Sequence, residues 1–316
     1  MLCVLQGITM VVPYLSDEDG KCREIAGNAS ADVTVFSDTT YHQFNANFHA
    51  HSNSWGFLAN GRKNSPEEVY NAYKAMNFDV ICISDYQHIN DFRSDCPDYI
   101  PVYEHGYNYK KAHQLSIGAE KVTWYDCMFL QNLRVKQFTI NILQDKTELL
   151  VLNHPKKWGG YSDEELLQIR GYDLFEVLNH YGNAEEAWDL VLESGNRVWC
   201  LGDDDSHDVS KLSEVGRKFT RVIAKNTDRQ SIIQSLRNGH HYGVDMPVLE
   251  NETFEHKAAR IKDLPKIIKY ELLDDSLAIE SDFRADSIVR IYKNTYARAK
   301  VFFPDGVVYY LNPIFY

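Results

Sequence analysis

Gln43-Phe44-Asn45-Ala46-Asn47-Phe48-His49-Ala50-His51 reads as a short strand that delivers two histidines at its carboxyl end. On an extended chain, residues i and i+2 point to the same side, so both imidazoles can reach one ion. The same arrangement recurs along the chain. Asp85 follows Val80-Ile81-Cys82-Ile83-Ser84, and Glu104 follows Tyr99-Ile100-Pro101-Val102-Tyr103. His154 follows Leu149-Leu150-Val151-Leu152-Asn153, and Asp205 and His207 close Val198-Trp199-Cys200-Leu201-Gly202. In a β/α barrel the carboxyl ends of successive strands converge on one mouth, where the chemistry is placed. Scattered ligand-type residues then become one pocket, and the pattern points to a metal-dependent hydrolase.

Each motif also has a plainer reading. His49 and His51 fit two solvent-facing histidines at a strand exit, and Asp203-Asp204-Asp205 fits a solvated acidic loop. Pro155 forces His154 extended, which suits a turn histidine as well as a ligand. Glu104, beside His105 and Gly106, fits a surface carboxylate, although a carboxylate there could bridge two cations as an imidazole cannot. The joint pattern carries more than its parts, because several unconnected loops would each have to offer a ligand by accident.

Composition narrows the field. A chain of 316 residues can bury a full core. A formal net charge of −12 argues against a protein that tracks a nucleic-acid backbone. A metal-filled cleft could still take an anion, because net charge does not describe a pocket. The six cysteines show no Cys-x-x-Cys pair, and Cys82 and Cys200 lie in apolar runs as buried free thiols would. No apolar run approaches the roughly 18 residues of a membrane span. Met1–Leu15 lacks a basic n-region and a cleavage site, which favours the cytoplasm over export.

Between roughly residues 43 and 243, apolar runs alternate with helical patterns. Capping boxes open helices at Ser65-Pro66-Glu67-Glu68, Ser162-Asp163-Glu164-Glu165 and Thr227-Asp228-Arg229-Gln230, the last stopping at Gly239. A further helix over 184–193 separates strands at Leu174–Leu178 and Arg197–Leu201. Such alternation argues for a parallel sheet, closed or open. After Pro247 the texture changes to strands: Ile267–Leu273, Leu277–Ile279, Ser287–Tyr292, Ala297–Phe303 and Val307–Leu311, with a Pro304-Asp305-Gly306 hairpin turn. The chain therefore divides into an extension (1–40), a barrel (41–246) and a small β-rich, sandwich-like domain (247–316).

The ordered set Phe48-His49-Ala50-His51-Ser52, Ile83-Ser84-Asp85, Glu104, His113, Leu152-Asn153-His154-Pro155 and Gly202-Asp203-Asp204-Asp205-Ser206-His207 resembles the motif series of the PHP (polymerase and histidinol phosphatase) superfamily. Ser65-Pro66-Glu67-Glu68 is similar to that family's first helix, and Leu236-Arg237-Asn238-Gly239-His240-His241-Tyr242 to its final helix exit. The terminal Asn312-Pro313-Ile314 resembles the end of a β appendage carried by some members. The resemblance covers about 200 residues. It implies a distorted seven-stranded β/α barrel with a two- or three-metal site that hydrolyses phosphate esters.

By that resemblance His49, His51, Glu104 and Asp205 hold one metal, and Glu104 bridges to a second held by His113 and His154. The third site departs from the pattern: Ser54-Trp55-Gly56 stands where an Asp or His is implied, and Asp85-Tyr86 where Asp-His is implied. His207 remains of that trio, so two metals are expected, with His88 as a possible replacement ligand for a third. His207 would then protonate the leaving oxygen, and Asp85 would orient a ligand imidazole. Manganese, zinc and iron all suit such donors. Lys156, Lys157 and Arg62 are candidate anion contacts. Glu176 and His180 face the mouth, His180 as a rim residue. Tyr103, Tyr107, Tyr109 and Tyr125 would either pack or form a stacking wall. The expected partner is a small phosphorylated molecule; an amide- or lactone-cleaving relative and a catalytically degenerate binding barrel are the alternatives.

Overall fold

In the computed structural model residues 34–35, 40–55 and 63–316 are described. Most of the expected 1–40 extension, with Cys3, Cys22 and Arg62, lies outside them. Sixteen strands are present among the described residues: β1 Thr34–Val35, β2 His42–Asn47, β3 Val80–Ile81, β4 Val102–His105, β5 Gln114–Ile117, β6 Leu149–Leu152, β7 Leu174–Leu178 and β8 Trp199–Gly202, then β9 Lys218–Ala224, β10 His241–Asp245, β11 Ile267–Leu273, β12 Ser276–Ser281, β13 Ser287–Tyr292, β14 Tyr296–Phe302, β15 Val308–Leu311 and β16 Ile314–Phe315. The helices are α1 Pro66–Ala75, α2 Leu133–Gln144, α3 Asp163–Leu166, α4 Glu185–Glu193, α5 Arg229–Arg237 and α6 Phe254–Lys262.

Local chemistry explains the helix starts. Ser65 accepts from the Glu68 amide at 3.2 Å while Glu68 accepts from the Ser65 amide at 2.7 Å, the reciprocal bond of a capping box. Ser162 and Glu165 repeat it ahead of α3. The box predicted at Thr227 does not form: α5 begins after Asp228, whose side chain makes no cap bond. That helix does stop at Gly239, which takes the left-handed φ of 72°. Helix α2, unannounced by a box, is capped by Asn132 accepting from the Val135 amide at 3.0 Å.

The strands form three sheets: β1-β11-β12, then β13-β14-β15-β10-β9-β2-β3 with β16 beside β14, and β4-β5-β6-β7-β8. The expected distorted (β/α)7 barrel does not appear as a closed one: no sheet among the described strands closes on itself. Strands β2 to β8 follow one another in space, but as edges of two sheets that touch through single parallel bridges, Ala50 to Ser206 and Tyr86 to Glu104. The reason is local. The ladder of β3 with β2 ends at Ile81, and beyond it Cys82 bonds Asn47 at 2.9 Å, Ser84 bonds Ala50 at 2.8 Å and Gln87 bonds Glu104 at 2.8 Å. One loop thus hands its amides to both sheets instead of extending either. The sheet is also mixed, since β4–β5 and β5–β6 run antiparallel.

The predicted boundary at residue 246 is crossed by a ladder. Strand β15 pairs with β10 from Tyr242–Leu311 to Asp245–Val308, so β13–β15 extend the sheet that contains β2 rather than building a free-standing sandwich. An otherwise bare β10 edge is satisfied in this way. The apolar core is shared too: Phe219, Tyr242 and Val244 cluster with Ile267, Ala297, Val301 and Tyr309. Burial of each such large side chain contributes about 1.5–3 kcal/mol. No helix of the described residues is long and apolar enough to cross a membrane.

Candidate metal centre

Strand β2 runs into His49 and His51, and β8 runs into Asp205; the Ala50–Ser206 bridge places these two exits side by side. The Tyr86–Glu104 bridge brings Glu104 of β4 to the same point. His113 enters from the other arm of the β4–β5 hairpin, nine residues on, and His154 from the exit of β6. Two donor groups result, His49-His51-Glu104-Asp205 and Glu104-His113-His154, each with ligand atoms within 4.8 Å of one another. All six side chains are buried.

Glu104 divides its oxygens between the groups. Its Oε2 lies 3.4 Å from His49 Nε2 and 3.2 Å from His51 Nε2. Its Oε1 lies 2.8 Å from His113 Nδ1 and 3.1 Å from His154 Nε2. Asp205 Oδ1 completes the first group at 3.3 Å from His49 Nε2 and 3.2 Å from His51 Nε2. Backbone strain accompanies the arrangement: His154, expected to be extended ahead of Pro155, instead has φ 24°, and Asp205 has φ 48°. Non-glycine residues adopt such values at a cost of about 1–3 kcal/mol each, and they persist where the surroundings over-determine them. Gly106 is equally constrained, because a Cβ there would meet His113 Cδ2 at 2.5 Å. No larger residue leaves room for that ring.

The electrostatics ask for cations. Burial opposes protonation of His49, yet Asp205, Glu104 and Glu176 together raise its pKa well above the usual range. Burial would raise Glu104, but His113 and His49 hold it well below the usual carboxylate range. Asp205 is held low against its burial by His49 and Lys157. His113, whose strongest influence is burial, is pushed down to about 4. The field that would hold a divalent ion therefore draws a proton onto His49.

Several buried polar atoms lack a hydrogen-bond partner, among them His49 Nε2 and Glu104 Oε2. Atoms of this kind cost about 1–3 kcal/mol each unless something binds them. His49 Nδ1 meets Glu176 Oε1 at 2.9 Å, which leaves Nε2 its lone pair for a metal. The donor set of imidazoles and carboxylates, with these orphaned atoms aimed inward, fits divalent ions.

Other predicted residues fall elsewhere. Asp85 orients no imidazole; its carboxylate accepts from the Ser52 amide at 2.6 Å, Ser52 Oγ at 2.8 Å, Ser54 Oγ at 2.6 Å and Asn90 at 2.9 Å. Four donors from neighbouring loops saturate it, so it braces the loop behind His51. The orienting part belongs to Glu176, whose second oxygen also accepts from the His154 amide. A carboxylate inside the apolar run Leu174-Phe175-Glu176-Val177-Leu178 was the signal for it. His207 joins neither donor group. It lies at the rim with Nδ1 3.7 Å from Asp205 Oδ1 and its ring 4.6 Å from that of His51. Tyr86 stacks on the other face of the centre, 4.6 Å from the His51 ring, and His88 packs against Trp55 at 6.1 Å rather than supplying a further ligand. His180 bonds the Asp204 carbonyl at the rim. Lys156 pairs outward with Asp163 at 2.6 Å. Tyr103 is core, whereas Tyr107 and Tyr109 are exposed.

No family model and no curated protein matches the sequence. Among solved structures, the chain is similar to a two-domain protein from Bacteroides vulgatus described as containing a predicted PHP-like metal-dependent phosphoesterase. That likeness has a TM-score of 0.48 and 15% identity, and covers 87% of this chain and 80% of that one.

Proposed function

We propose that the protein is a metal-dependent phosphoesterase acting on a small phosphorylated molecule through a two-metal centre. The observation that carries this reading is Glu104, whose two oxygens face two separate sets of imidazoles. His49, His51, Glu104 and Asp205 would hold one ion, and Glu104, His113 and His154 the other. Manganese, zinc or iron bound there would supply Lewis acidity toward a phosphoryl oxygen and lower the pKa of a water.

The chain's own residues do the rest. Glu176 fixes the His49 ring, so that its free nitrogen keeps one direction. His207, partly open to solvent and beside Asp205, would protonate a leaving oxygen, a role worth about 10²–10⁴ in rate. Saturation of Asp85 by Ser52, Ser54 and Asn90, with Tyr86 against His51, favours two ions over three.

The test is elemental analysis of purified protein with a p-nitrophenyl phosphate assay in added manganese. About two metals per chain are expected, and His51→Ala should lose most of one and at least about 10³-fold in activity. Bound metal with turnover of an amide or lactone but not a phosphate ester would favour the other hydrolase class. Protein with neither metal nor turnover would favour a binding barrel.

A further inference from the structure

Lys157 opens the short 3-10 turn Lys157–Gly159 just after His154. Unlike its neighbour Lys156, it turns inward: its Nζ lies 3.2 Å from Asp205 Oδ2, and the side chain is only 15% exposed. The ammonium also sits 3.3 Å from the centre of the Tyr181 ring, a cation–π contact that fixes where it points. Tyr181 in turn meets the His207 ring edge-on at 6.3 Å. Lys157, Tyr181 and His207 thus form one wall of the mouth, over the carboxylate of Asp205. Trp158 next to it takes a left-handed φ of 53°.

As a counter-ion of Asp205, Lys157 is not alone. Asp205 already faces His49, His51 and His207, and Asn179 donates to its Oδ2 at 3.4 Å. Charge supplies a better account. Three carboxylates touch the imidazoles: Glu104, Asp205 and Glu176. With two divalent ions and the Lys157 ammonium in place, the centre would carry two surplus positive charges. That is the complement of a phosphomonoester dianion.

We propose that Lys157 is the anion-positioning residue of this centre, held by Tyr181 and released from Asp205 Oδ2 to grip a phosphoryl oxygen of the substrate. The proposal rests on the two-metal phosphoesterase reading. It assigns to Lys157 a part in binding the transferred group and none in binding metal.

The experiment uses manganese-loaded full-length protein and inorganic phosphate as the probe, titrated calorimetrically and as an inhibitor of p-nitrophenyl phosphate turnover. Lys157→Met should weaken phosphate binding about 10–100-fold and raise KM more than it lowers kcat, with manganese content unchanged. Lys157→Arg should restore much of the phosphate affinity, and Tyr181→Ala should weaken it several-fold. Unchanged phosphate affinity in Lys157→Met, or loss of bound manganese instead of phosphate, overturns the proposal and makes Lys157 a partner of Asp205 alone. If the wild-type protein holds manganese but neither binds phosphate nor cleaves the ester, the phosphoesterase reading itself falls.

Discussion

Two charge clusters in this molecule, one half-buried and one fully buried, obey opposite rules. Where β14 meets α4, Arg298 is fully buried and bonds Asp189 at 2.7 and 2.6 Å and Glu185 at 2.8 Å, over the Trp188 ring at 4.9 Å. Lys300 adds a bond to Glu185 at 2.9 Å, and the Tyr296 hydroxyl donates to Asp189 at 2.8 Å. Two cations meet two carboxylates, and only Arg298 Nη1 goes without a hydrogen bond. At the mouth, three carboxylates gather around imidazoles with Lys157 as their one fixed cation among the described residues, and buried nitrogens and oxygens stay unbonded. A self-satisfied cluster fastens the fold. One that is short of positive charge is built for something that arrives later.

Arg298→Met should break the satisfied cluster most severely. It leaves Asp189 and Glu185 short of a partner, and a loss of about 3–5 kcal/mol in unfolding free energy is expected by chemical denaturation. A loss under about 1 kcal/mol would mean that β14 and α4 are held by packing alone. At the mouth, the effect of Glu104→Gln should depend on metal. In chelator-treated protein it removes the carboxylate that faces His49 and His113, so a modest loss of stability is expected. With manganese present at about 100–1,000 times the dissociation constant, it should forfeit the roughly 3–4 kcal/mol that metal adds to the native protein. Equal destabilisation with and without manganese would erase the contrast between the clusters.

An effect absent at neutral pH comes from buried His241, whose ring bonds the Cys200 carbonyl at 2.9 Å. Burial pushes its pKa down from 6.5 to about 3, so the folded chain keeps it neutral while the unfolded chain protonates it. Stability from this residue is therefore full above pH 6.5 and falls as pH drops toward 3, by up to about 1.4 kcal/mol per pH unit. His241→Asn should flatten that slope in urea titrations. An unchanged slope assigns the acid sensitivity to other groups.

How much of this was legible in the residues divides along the same line. His49, His51, His154 and Asp205 announce themselves because each closes a strand-like run, and strand exits share one side of a fold. Glu104 and His113 were harder, since the β4–β5 hairpin that aligns them has a polar, tyrosine-rich connection rather than a turn signature. Glu176 was placed at the mouth by its strand, but its bonds to His49 and to the His154 amide were not foreseen. Asp85 looked like a working carboxylate until its four donors were in view, and three of them come from Ser52 and Ser54, more than thirty residues back in the sequence. The mixed sheet was hidden for a related reason: amides of residues 82–87 bond across to both sheets, and a period-two pattern records which face a residue takes, not which strand it pairs with.

The ladder joining β15 to β10 has a practical meaning for anyone dissecting this molecule. Strand β10 pairs on its other side with β9, and β9 with β2, whose end presents His49 and His51. Cutting the chain at residue 246 would therefore strip the cover from a raw strand margin two positions from the histidine pair. Such a fragment would be sticky and would splay its own chemistry, so the mouth and the C-terminal strands have to be expressed, evolved and engineered as one piece.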